Sequence, residues 1–207
     1  MQKTARPKRP TSPGSAYRSA TRPPRRAESA RTRANEAELP GASEPFTTAD
    51  GRALVLRPIR SGDAEALRRA FSRLTPEQVR LRLFHRMNEL SEEAAERMTH
   101  VDPATTIAYV VVDADNEVRA EARVHIDPVT EAAEFAIAVD PEFTHQGIGR
   151  RLLQRLIADS RRRGLYELWG DVLAENQAML DFAKVLGAER HSRADEPGLT
   201  RVSFQLR

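Results

Sequence analysis

Three consecutive apolar runs near the middle of the chain carry the clearest pattern. Thr106–Asp113 (TIAYVVVD) is rich in β-branched residues, and Asp115-Asn116 turns the chain into Glu117–Ile126. Asp127-Pro128 turns it again into Ala132–Val139 (AAEFAIAV). Short β-rich segments joined by tight turns predict an antiparallel meander. Ahead of them, Arg52–Arg60 (RALVLRPIR) predicts a strand that stops near Pro58, because proline removes a ladder donor. Ser61 to Phe71 predicts a helix that Ser61 or Asp63 can cap. Thr75-Pro76-Glu77-Gln78 is a capping box with proline at the first helical position. Ser91-Glu92-Glu93 opens a third helix with acids where the helix dipole favours them.

Beyond Val139 the period changes. Ile148, Leu152, Leu153, Leu156 and Ile157 fall on one face of a helix ending at Gly164. Glu167–Leu173 reads as a strand, Met179, Phe182, Ala183 and Leu186 mark a helix ending at Gly187, and Val202–Leu206 reads as the last strand. This order predicts an α/β (α+β) fold, with a mixed, mostly antiparallel sheet of about six to seven strands flanked by helices.

Composition divides the 207 residues in two. Residues 1–45 are Arg, Pro, Ser, Thr and Ala with almost no large aliphatic side chain, so they cannot bury enough surface to offset the entropy of ordering. We read them as a disordered basic tail and residues 46–207 as the folded domain. Ten Lys and Arg face four Glu in the tail, so the net charge of +3 leaves the domain near −3. Such an arm suits weak, non-specific nucleic-acid contact, although a merely solubilising extension has the same composition. There is no cysteine, which excludes disulfides, zinc thiolate sites and an acyl-cysteine intermediate. The five histidines show no metal-ligand spacing, so no metal is expected. No apolar run approaches membrane-spanning length, and a cytoplasmic location is the default.

Between the Ala132–Val139 strand and the next helix lies DPEFTHQGIG, residues 140–149. Gly147 and Gly149 at a helix start let several backbone N–H groups converge on one anion, reinforced by the helix dipole. Arg150 and Arg151 sit in the first turn, where cations are normally disfavoured, which hints at a further phosphate. Alternatively, the glycines only permit a tight turn. The spacing is neither that of a dinucleotide fingerprint nor that of a Walker loop.

VDPEFTHQGIG followed by RRLLQRLI resembles the acetyl-CoA-binding motif of the GNAT superfamily of N-acetyltransferases, with Thr144 where Gln or Arg is usual and His145 where glycine is frequent. RPIRSGDAEALRRAFSRLTPEQVRLRLFH, ELSEEAAERMTHVD, AEFAIAV and VLAENQAMLDFAKVLG together resemble the GNAT domain of bacterial Pat-type protein lysine acetyltransferases, from about Leu54 to Gly187. The resemblance implies the GNAT fold, acetyl-CoA as acyl donor, and a protein substrate presenting a lysine, such as an acyl-CoA synthetase. It implies donor contacts from Phe135, Ile137, Val139, Thr144, His145, Gln146, Gly147, Ile148, Gly149, Arg150, Arg151 and Asn176. It leaves oligomeric state open.

A lysine amine must lose a proton before it attacks a thioester. Glu134, mid-strand with Ala136 and Ala138 on the same face, is the candidate base, and partial removal from water there would strengthen it. A water-facing surface glutamate is the competing reading. Pat-like domains carry their catalytic glutamate at this point. Glu131 is the rival and reads as part of the turn, and His125 is a possible second base or a satisfied strand histidine. Counting from Asn176, the tyrosine that many GNAT enzymes use as an acid falls at Ala183. A small-molecule amine or a protein N-terminus as acceptor, and a non-catalytic acyl-CoA-binding module, are the alternatives to lysine acetylation.

Overall fold

A computed structural model describes residues 43–83 and 89–207. The basic segment, residues 1–42, therefore lies outside the described residues. Eight strands form one sheet in the order β1-β2-β3-β4-β5-β6-β8-β7. They are β1 (Glu44–Thr47), β2 (Ala53–Pro58), β3 (Thr106–Val112), β4 (Val118–Asp127), β5 (Ala132–Val139), β6 (Glu167–Leu173), β7 (Glu189–Ser192) and β8 (Leu199–Gln205). All neighbours pair antiparallel except β5 and β6. The α/β expectation stands, with one or two strands more than anticipated. The additions are β1 and β7, four residues each.

The helices are α1 (Ala64–Arg73), α2 (Pro76–Leu83), α3 (Glu92–Thr99), α4 (Ile148–Arg162) and α5 (Gln177–Val185). Leu152, Leu153 and Leu156 of α4 are fully buried against Tyr109, Ala122 and Val124 on one sheet face. Leu67 of α1 and Ala95 of α3 close the other face over Ala108 and Val110. The meander is thus buried on both sides, which is why β3 reads as a continuous apolar run rather than an alternating one.

Local signals explain the helix starts. The box at α2 closes as expected: Thr75 N donates to Gln78 Oε1 at 2.9 Å and Gln78 N donates to Thr75 Oγ at 3.1 Å. Ser91 accepts from Ala94 N at 3.2 Å at the head of α3. At α1 the expected side-chain cap is absent. A turn of 3-10 helix, Ser61–Asp63, precedes it, and Asp63 instead receives Arg57 through two bonds of 2.7 and 2.8 Å. Both partners are buried, and the same carboxylate accepts from Arg60 N at 2.8 Å, so one side chain pairs the β2 cation and caps the 3-10 turn.

The parallel junction matters most for function. β5 and β6 pair only at Ala132↔Glu167, Ala133↔Leu168 and Glu134↔Trp169. Beyond that point β5 stays on β4 to its last residue, while β6 stays on β8. The Phe135 ring lies at the fork, where a Cβ on Gly170 would come within 3.0 Å of it. Gly170 therefore lets β6 pass the ring as the strands part.

Candidate active site

The parting strands open a cavity of about 570 Å³. Its floor is β5, one wall is the head of α4, and the opposite wall is α5. The end of α1 and the start of α2 form its roof. Asp140 N donates to Arg119 O on β4 at 2.8 Å. By strand alternation the backbone groups of Phe135, Ile137 and Val139 then point the other way, towards β6 at Phe135 and into the gap at Ile137 and Val139. Gln78 Nε2 meets Val139 O there at 3.3 Å. An unpaired strand edge of this kind is ready to bond an extended ligand.

The loop at the head of α4 is held at several points. Asp140 is buried, accepts from Arg73 Nε at 2.8 Å and Arg119 Nη1 at 3.2 Å, and caps the short 3-10 turn Pro141–Phe143. Thr144 Oγ donates to Pro141 O at 2.9 Å. His145 and Gly147 both take left-handed backbone conformations, φ 61° and 77°. No side chain caps α4 at Gly147. The first-turn amides of Ile148, Gly149 and Arg150 have no acceptor within the helix, a fixed positive cradle for an anion. A Cβ on Gly149 would lie 3.8 Å from Phe182, 3.9 Å from Ile137 and 4.0 Å from Val139, all residues that line the cavity.

Most of the residues anticipated from sequence converge here. Glu134, Phe135, Ile137, Val139, Thr144, His145, Gly147, Ile148, Gly149, Arg150 and Asn176 all line the cavity. Gln146 and Arg151 do not. Gln146 Oε1 accepts from Asp50 N at 3.3 Å, and Arg151 pairs with Glu44 and lies over the Phe46 ring at 4.5 Å. Both side chains tie the loop to β1 and the turn after it, because an acceptor and an aromatic face are within reach on that side. Asn176 caps α5, its Oδ1 accepting from Met179 N at 3.1 Å, which leaves the amide N–H₂ for a ligand. Ala183 is fully buried and brings no hydroxyl, while neighbouring Phe182 lines the cavity.

Sequence reasoning missed the roof: Leu74, Gln78 and Leu81 line the cavity, as do Asp171 and Met179. The signal for α2 was its capping box, but nothing in the residues said which sheet face it would cover. Arg80 of α2 joins Glu175 across the cavity mouth and so clamps the roof to the α5 side.

Glu134 stands at the fork, opposite His125 on β4 and beside Trp169 on β6. It is exposed, so the expected partial removal of this carboxylate from water is not found. His125 is exposed on the same face rather than satisfied in the sheet. Asp171, further along β6, is enclosed by Arg193 and Arg201, with bonds of 2.8 to 3.0 Å, and Arg201 stacks on Trp169 at 3.7 Å. Glu131 belongs to the turn, with φ 54°, and pairs with Arg207 at 2.9 Å. Among the described residues no cluster of three or more His, Asp or Glu could hold a metal ion, and no helix is long and apolar enough to cross a membrane.

A forked parallel pair, an uncapped helix N-terminus and a carboxylate at the fork are features that suit group transfer from an extended anionic donor. Comparison with known proteins names the group. The acetyltransferase (GNAT) family profile matches residues 65–188, more than half of the chain, and the chain belongs to that family of acyltransferases. It is 29% identical over 141 residues to an acetyltransferase of Pseudomonas aeruginosa, covering 67% of this chain and 76% of that protein. Over 53 residues it is 46% identical to a ribosomal protein-alanine N-acetyltransferase of Escherichia coli, covering 26% of this chain and 36% of that one. Among solved structures, the GNAT domain of S. lividans PAT superposes with a TM-score of 0.73 at 26% identity, covering 79% of this chain and 97% of that one.

Proposed function

We propose that this enzyme transfers an acetyl group from acetyl-CoA to a lysine side chain of a protein, an acyl-CoA synthetase being the leading candidate. The observation that carries the reading is the alignment of three features in one cleft: the free β5 edge, the uncapped head of α4 and the exposed carboxylate of Glu134 at the fork. The first would pair with the amide-bearing arm of CoA, the second would hold its pyrophosphate, and Asn176 would meet the arm from the opposite wall. Sequence resemblance to Pat-type domains and the superposition on the S. lividans PAT domain support a protein lysine as acceptor.

In the reaction, the acceptor nitrogen attacks the thioester carbonyl carbon, the N–C bond forms, and the C–S bond breaks to release CoA thiolate. The proton leaving the nitrogen passes to Glu134. The Val139 or Ile137 amide donates to the carbonyl oxygen as negative charge builds there. Glu134 lies at the open end, where an acceptor arrives from solvent, so its proton returns to water without a buried relay. A thiolate is a stable leaving group, consistent with Ala183 in place of a hydroxyl acid.

A protein α-amine is a second reading, favoured by the Escherichia coli relative. One experiment separates the two: incubation with labelled acetyl-CoA, a panel of acyl-CoA synthetases and a panel of N-terminal peptides, followed by mapping of the modified nitrogen. Label on synthetase lysines supports the proposal. Label only on peptide α-amines overturns it.

A further inference from the structure

A second cavity, about 250 Å³, lies beside the first on the sheet face covered by α1 and α3. Its walls are Leu67, Phe71 and Leu74 of α1, Ala94 and Met98 of α3, and Ala138 of β5. Leu74 and Ala138 also line the cleft, so both side chains face the two spaces. We propose that this cavity takes the hydrocarbon tail of an acyl group longer than acetyl, making the enzyme able to use medium-chain aliphatic acyl-CoA donors. The inference rests on the reading that the cleft holds the acyl donor.

The chemistry of the walls selects the occupant. Three charged residues, Arg119, Glu121 and Asp140, also line it, and all already have partners. Arg119 binds Asp113 at 2.7 Å and Asp140 at 3.2 Å, Asp140 also binds Arg73 at 2.8 Å, and Glu121 binds Arg123 at 2.5 Å. An acceptor ammonium ion would have to displace Arg123 from Glu121, and a dicarboxylic acyl group would have to displace Asp113 or Asp140 from Arg119. An uncharged aliphatic chain displaces nothing. The position also fits. The gap-facing amides of Ile137 and Val139 flank Ala138, whose methyl group points to the second cavity, so a chain leaving a carbonyl held by either amide meets the smallest wall. In size, a cavity of about 150 Å³ lined by aliphatic side chains holds benzene, so 250 Å³ has room for roughly six carbons or more.

Calorimetric titration of the full chain with acetyl-, butyryl- and hexanoyl-CoA, without acceptor, tests this. Each added methylene should tighten binding by up to about fourfold, the value of burying one CH₂. Ala94→Leu and Ala70→Leu, at two small side chains that line the second cavity from α3 and α1, should shrink the hexanoyl-to-acetyl affinity ratio towards one. Thermal unfolding would verify that each variant is folded. Hexanoyl-CoA binding no tighter than acetyl-CoA overturns the proposal, as does a ratio that neither substitution changes. If no acyl-CoA binds at all, the reading of the cleft fails as well, a result distinct from tight acetyl-CoA binding with no chain-length effect.

Discussion

Replacing Gly149 by alanine should move stability and donor affinity in opposite directions. The added Cβ meets its neighbours at 3.8 to 4.0 Å, ordinary contact distances, and Gly149 does not have a left-handed backbone. The folded enzyme accepts the methyl without rearrangement, and a glycine inside a helix gives up about 0.5–1 kcal/mol relative to alanine. Thermal melting of the free enzyme should therefore rise slightly. The same methyl occupies the cavity side of α4, between Phe182, Ile137 and Val139, where the proposed pyrophosphate approaches the amides. Losing one charge-assisted bond costs about 1.5–3 kcal/mol, or roughly 10- to 100-fold in affinity. Calorimetry with CoA on wild type and Gly149→Ala, beside melting curves without ligand, reads both numbers. Gly149→Glu, which sets a carboxylate in the cradle, should abolish binding. Unchanged CoA affinity in the alanine variant would remove the head of α4 from the donor site. A fall in stability would refute the packing argument instead.

Glu134→Gln preserves shape and removes the base, so CoA affinity should persist while turnover drops about 10²- to 10⁴-fold; a near wild-type rate at all pH values would shift attention to His125. Arg69 and Arg73 hold Glu117 below its ordinary pKa of 4.5, so the stabilisation is complete above that value and fades as the pH falls through it to the lower folded-state pKa. Glu117→Gln should accordingly flatten the loss of stability in acid, measured by denaturant melts between pH 5 and about 3. A chain starting at Ser43 should fold and bind acetyl-CoA like the full chain, since it retains Glu44 and its contact with Arg151. One starting at Thr48 should melt lower, having lost β1 and that ion pair.

The meander and α4 were legible because their burial is written in the residues: β-branched runs for strands covered on both faces, a 3.6-residue stripe for the helix. β1 (EPFT) and β7 (ERHS) were not. Neither alternates apolar with polar: β1 brings a single apolar side chain, Phe46, to the core, and β7 is wholly exposed and only satisfies the edge of β8. The candidate site followed the same rule. Positions fixed by the backbone, such as the Gly147–Gly149 turn and the Phe135, Ile137, Val139 edge, were readable. Side chains whose partners lie far away in sequence were not. Arg151 looked like a phosphate ligand because Glu44, 107 residues earlier, seemed part of a tail. Gly170 gave no signal at all, since its role is set by a ring on another strand.

The brief union of β5 with β6 has a thermodynamic consequence. Three register pairs are a slender seam between a five-strand portion and the β6–β8–β7 portion. Side chains make the rest of the union: Leu168, Val202 and Phe204 share one buried core with Tyr109 and Leu152, and the Phe135 and Phe204 rings lie 6.1 Å apart. A donor spanning from the α4 turn to Asn176 touches both, and so adds its binding free energy to the seam itself. Amide exchange along β6 should then slow on ligation more than along β3. The ligand would thus add a backbone tie to a union that the shared core already makes through side chains.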